Sequence, residues 1–278
     1  MTAHPPAKYT IREYLNDRSQ GAALGRGYQP SEGLGYIGVP DPDDEFTLYI
    51  ILIGIQGQVC EAHEVDTLFA PATQHEITTL LIAWYHSYSR WRTKNQVNSE
   101  SPFCLLILWH STFVSLFSNL NDLEIAFGSL GAQAAADQVQ AVSRWAITPE
   151  ARRAALHAIR VRQLLSQLSL STVPPIHIPR IAFQTAIVYW CYVRFRETAP
   201  SPSGGDDLIG INSWREFQTA GVNVKELLRE LQRSRNGLAG DHPLGPFSEI
   251  LQRLGYWGIA KKLGDILNVA IHEETSGR

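Results

Sequence analysis

Two histidines stand where an imidazole could do chemistry. His110 sits among Phe103, Leu106, Ile107, Phe113, Val114 and Phe117, and His157 among Ala154, Ala158, Val161, Leu164, Leu165 and Leu168. Both series recur at helical spacing, so each ring belongs to an apolar stripe. Burial moves an imidazole's pKa, which is the property that acid–base catalysis and ligand contact both use. A buried imidazole is equally an ordinary core residue once its nitrogens are hydrogen-bonded to backbone, to a carboxyl or to the facing helix. Helical spacing does not say whether the two rings meet, so both readings stay open. With Trp109 and Arg153, the two histidines form a set of interior polar or ligand candidates, Trp109, His110, Arg153 and His157. None is assigned a catalytic, cofactor or metal role.

Other strings are weaker. Gly33-Leu34-Gly35-Tyr36-Ile37-Gly38 matches a dinucleotide fingerprint, but that chemistry needs a strand before the glycines and a helix after them. Here Tyr28-Gln29-Pro30-Ser31-Glu32 precedes and Val39-Pro40-Asp41-Pro42 follows, so no cofactor is expected. Cys60 with His63 is a single pair without a second pair nearby, and no C-x-x-C occurs, which argues against structural zinc. The acidic groups Asp41-Pro42-Asp43-Asp44 and Asp206-Asp207 read as solvated loop charge. No G-x-S-x-G, H-E-x-x-H or P-loop string is present.

The elements that must position the histidines are helices. Apolar periodicity places them near 44–61, 74–92, 102–118, 120–128, 133–146, 149–169, 179–197, 222–236 and 246–271. Thr148-Pro149-Glu150 supplies an N-cap hydroxyl, a first-turn proline and an acid at the positive helix end. Pro179 and Pro246 open helices in the same way. Val173-Pro174-Pro175 stops one, and Pro200-Ser201-Pro202-Ser203-Gly204-Gly205 is a flexible crossing. The helix at 102–118 is apolar on two sides and is expected at the centre. Sustained period-2 alternation is absent. The fold class read from this is all-α, a single irregular multi-helix bundle over residues 44–278 with a largely irregular N-terminal arm over residues 1–43.

Composition narrows the partners. The chain has 24 basic and 27 acidic residues, a formal net charge of -3, and 44% hydrophobic residues. A direct nucleic-acid binder usually shows a basic stripe. Here Arg152, Arg153, Arg160 and Arg162, and Lys225, Arg229, Arg233 and Arg235, are diluted by apolar or acidic neighbours, so no direct nucleic-acid contact is expected. The three cysteines, Cys60, Cys104 and Cys191, are odd in number and widely spaced, which suits a reducing compartment. The polar, proline-broken start is no signal peptide, and the apolar run from Leu48 to Ile55 is too short for a membrane span. An intracellular, non-secreted protein without a membrane anchor is expected.

Further segments carry a resemblance. Leu108-Trp109-His110, Leu123-Glu124-Ile125-Ala126-Phe127-Gly128 with Gly131, Trp145-Ala146, and Ala151 to Ala158 follow one another in order. A proline-led helix from Pro179 and the closing Leu254-Gly255-Tyr256-Trp257-Gly258-Ile259-Ala260 come after them. Together they resemble the fungal-specific transcription factor domain, the regulatory region of fungal zinc-finger transcription factors. The likeness runs from about residue 45 to 272, and no zinc module stands within these residues. It implies an all-helical domain that regulates transcription by contact, in the nucleus or cytoplasm. It further implies a protein partner that is itself a DNA-binding transcription factor, and a small-molecule effector. Control of a secondary-metabolite gene cluster is the function so implied. The rival is an enzyme or metabolite-handling protein of a biosynthetic pathway built on the same helices, which the two interior histidines would suit.

Overall fold

The computed structural model describes residues 42, 44–64, 71–97, 103–169, 173–196, 214–235 and 242–276. Among them are eleven helices and no strand: α1 Glu45–Glu64, α2 Pro71–Lys94, α3 Leu105–Leu116, α4 Leu120–Ala126, α5 Ala132–Ala146, α6 Pro149–Ser166, α7 Ile178–Arg196, α8 Arg215–Thr219, α9 Val224–Arg235, α10 Gly245–Arg253 and α11 Gly258–Ser276. The all-α expectation therefore holds. The Gly33–Gly38 string and the Asp206-Asp207 pair lie outside the described residues. No described helix is long and apolar enough to cross a membrane. By their contacts the described residues fall into two compact units, divided between Ser99 and Glu100.

In the first unit Asp44 caps α1, its carboxylate accepting the Thr47 amide at 2.6 Å. That accounts for one member of the acidic cluster read as loop charge. Leu48, Ile51, Leu52, Ile55 and Val59 form the buried stripe of α1. From α2, the Trp84 indole donates to the Leu48 carbonyl at 2.9 Å and stacks on Tyr88 at 5.3 Å. A buried indole N–H is costly unless it finds such an acceptor.

The second unit is organised around α3. Every residue of this helix except Leu106 is buried, including Ser111, Thr112 and Ser115. These hydroxyls can be buried because they turn back onto their own helix. Ser111 and Thr112 donate to the Leu108 carbonyl at 2.8 and 2.9 Å, and Ser115 to the Ser111 carbonyl at 3.2 Å. Next to α3 lies α6, whose first turn is built as expected. The Thr148 hydroxyl accepts the Ala151 amide at 3.1 Å, with Pro149 and Glu150 following. Helix α7 covers α6, α4 and α5 pack against α7, and α9 lies along α6 through Arg162–Glu230 and a Gln163–Glu230 hydrogen bond of 3.0 Å.

Two elements differ from expectation. The five-residue α8 is too short to show a period, and nothing local in Trp214 to Thr219 announces it. The helix expected over 246–271 is two, α10 and α11, parted at residues 254–257. There the Trp257 indole donates to the Pro174 carbonyl at 2.9 Å, a long-range bond that a continuous helix would forgo. The turn folds α11 back onto α10. Gly264 permits the approach, since a Cβ there would stand 2.8 Å from Gln252 Nε2 and 3.3 Å from Leu251 Cβ. Beside it the Ser248 hydroxyl donates to Asn268 at 2.6 Å.

Because α6 depends on its cap to begin at Pro149, Thr148→Ala should lower stability by about 1 kcal/mol, measured by urea unfolding.

Candidate functional site

The second unit's two interior helices, α3 and α6, bring the histidines together. His110 from α3 and His157 from α6 approach with Nδ1···Nδ1 at 2.9 Å, a hydrogen-bond distance. His157 has no exposed surface and His110 is 2% exposed. The His157 ring lies between two phenyl rings. Phe113 is stacked on it at 4.5 Å and 8°, and Phe217 at 4.3 Å and 25°. Trp109 closes the edge, 4.8 Å from His110 and 6.3 Å from His157.

Only one of the two Nδ1 atoms can hold the proton in this bond. The other nitrogen of His157, Nε2, is buried and has no hydrogen-bond partner. If His157 were the acceptor, its proton would sit on Nε2 as an orphaned donor. If His157 donates from Nδ1, Nε2 is an orphaned lone pair, which is the cheaper of the two in a protein interior. The favoured arrangement has His157 donating and His110 accepting.

Both rings are neutral. Burial drives the His110 pKa down to about 3, and the nearby Arg160 charge adds to the effect. His157 is pushed well below its ordinary value, first by burial, then by the repulsion that a second proton would meet from His110 and by the Arg153 charge. Such groups hold no proton to give near neutral pH and accept one poorly, whereas a working acid or base titrates near the pH at which it operates. With both faces of His157 covered by rings in van der Waals contact, a substrate has no place beside it.

Arg153, the fourth candidate, does join this cluster but points away from the imidazoles' hydrogen bond. Its Nε and its terminal nitrogen reach Glu216 Oε1 at 2.9 and 2.8 Å, and its guanidinium lies 4.0 Å over the Phe117 ring and 5.6 Å from Trp214. Glu216 is 1% exposed, so its carboxylate is nearly dry and depends on Arg153. Glu216 and Phe217, both on α8, are site residues that sequence reasoning missed. A buried glutamate beside a phenylalanine in a short polar stretch gives no periodic signal.

Of the other candidates, Cys60 is exposed on α1, and no group of three or more His, Cys, Asp or Glu side chains able to hold a metal occurs among the described residues. A shallow cleft elsewhere is lined by Leu165, Leu168, Pro174, Ile250, Arg253 and Tyr256, and none of the four candidates borders it. Comparison of the chain with family models, with curated proteins and with solved structures finds no match.

Two outcomes follow from a dry, neutral pair. His110→Leu alone strands the His157 donor and should cost roughly 2–4 kcal/mol. The double variant His110→Leu/His157→Phe should cost less than the sum of its two single changes by at least about 1 kcal/mol, read from a double-mutant cycle in urea; additive costs would contradict the bond. The second outcome concerns pH. The folded core refuses protons that the unfolded chain accepts below about pH 6.5, so this stability is fully present above that pH and is lost as pH falls toward 3. Each histidine should contribute a slope approaching about 1.4 kcal/mol per pH unit, and the double variant should show a flatter stability profile between about pH 6.5 and 4.5.

Proposed function

We propose that this chain is a transcription regulator-like protein that works by contact rather than by bond-making. In this reading it acts in the control of a fungal secondary-metabolite gene cluster, through a DNA-binding partner protein, and answers to a small-molecule effector. The observation that carries the reading is the state of the imidazole pair: neutral, dry, capped on both faces of His157 by Phe113 and Phe217, and bonded to itself at 2.9 Å. A pair in that state is a strut between α3 and α6.

Further support comes from where the resemblance-bearing residues sit. Trp109, His110, Ala146, Ala151 and Ala154 to Ala158 are buried framework positions. Gly128 and Gly131 hold φ of 106° and 91° in the turn from α4 to α5, where a side chain would be strained. Leu254 to Trp257 make the turn between α10 and α11. A likeness carried largely by buried and turn-forming residues speaks for a shared scaffold whose output lies on its surface.

The test is deletion of the gene followed by complementation. Transcripts of the neighbouring biosynthetic genes should fall several-fold on deletion. They should return with His110→Leu/His157→Phe, provided that variant accumulates to normal levels. Unchanged transcripts with a pathway intermediate building up would overturn the proposal and favour an enzyme or metabolite-handling protein of the same pathway.

A further inference from the structure

The outward face of α11 has a composition that suits one occupant. Ile259, Lys262, Ile266, Val269 and Glu273 succeed one another at spacings of three, four, three and four, the seam pattern of paired helices. All five are exposed, Ile259 by 50%, Ile266 by 47% and Val269 by 57%. The opposite face is already used. Ala260, Gly264 and Leu267 are buried, and α11 packs on α10 and α7. An apolar seam on a helix whose other side is satisfied is surface that the described residues leave uncovered.

The ends of the seam carry opposite charge. Lys262 lies toward the start of α11 and Glu273 toward its end, and neither has a hydrogen-bond or ion-pair partner among the described residues. The neighbouring Glu274 is different, being held within the chain by His242 at 2.7 Å and Arg194 at 3.8 Å. A helix positive at one end of its seam and negative at the other complements itself when turned end for end. In an antiparallel two-fold pair, residues whose numbers share one sum face each other. Since 262 and 273 give the same sum as 266 and 269, one register satisfies both kinds of contact. Lys262 meets Glu273 of the second copy, Ile266 meets Val269 of the second copy, and the symmetry makes each contact twice.

We infer that the Ile259–Glu273 face of α11 is a homodimer interface in which two copies of this chain pair antiparallel. The seam is about four turns long, so a dimer with dissociation in the micromolar range is expected rather than an obligate one. A basic stripe for an anionic lipid surface is not what this face offers, because Asp265 and Glu273 share it with Lys261 and Lys262.

Sedimentation equilibrium of the full chain, from low micromolar to several hundred micromolar, tests this. The native chain should pass from monomer to dimer over that range. Ile266→Asp should weaken association at least tenfold, while its helical circular dichroism and melting temperature in dilute solution stay near the native values. Lys262→Glu sets like charges opposite each other and should also weaken it. Adding Glu273→Lys to that variant restores opposite charges in the same register and should recover native association. A monomer at every concentration would overturn the inference. So would a dimer indifferent to Ile266→Asp, or a charge swap that fails to recover it.

Discussion

A ring nitrogen taken out of water costs least when it finds a partner, and this constraint shapes the second unit. His110 and His157 satisfy it at Nδ1 with each other, at 2.9 Å across the contact of α3 and α6, and leave His157 Nε2 buried without a partner. The bond ties one point on each helix together and so adds to the apolar packing that holds α3 against α6. Burial fixes the charge state. A proton added to either ring would be buried, and beside the Arg153 or Arg160 charge.

The surroundings follow from that choice. Phe113 and Phe217 cover the faces of His157, so α8 must return to the α3–α6 contact although it is only five residues long. Returning brings Glu216 with it, and a carboxylate 1% exposed is tolerable only against a cation. Arg153 supplies the cation, and the Phe117 and Trp214 rings accept its faces. The polar groups at this place are thus bound to one another in two sets, imidazole with imidazole through Nδ1 and guanidinium with carboxylate, while His157 Nε2 stays unbonded under the stacked rings. Sets of this kind favour a single packing and leave few groups over for a ligand.

That distinction separates scaffold from output. Polar residues in the interior hold α3, α6 and α8 in place, while the uncommitted features lie outside, on α11 in particular. An interior site would have shown converging polar groups with space between them. Here the same residue types converge and fill the space.

The sequence by itself determined most of the helices, most of their boundaries and the cap at Thr148, because these rest on contacts within three or four residues. Thr148 capping Ala151 and the hydrophobic series around His110 and His157 are local facts. It also placed one histidine on each of two interior stripes. Tertiary structure alone decided that those histidines meet through Nδ1, that Glu216 and Phe217 close over them, and that Trp257 reaches Pro174 and divides the last helix in two. Those contacts join residues 47, 63, 60 and 83 positions apart. Periodicity names the face that must be buried. It does not name the face that buries it, since any apolar stripe of suitable width satisfies the hydrophobic requirement and only side-chain shape and hydrogen-bond geometry choose among them.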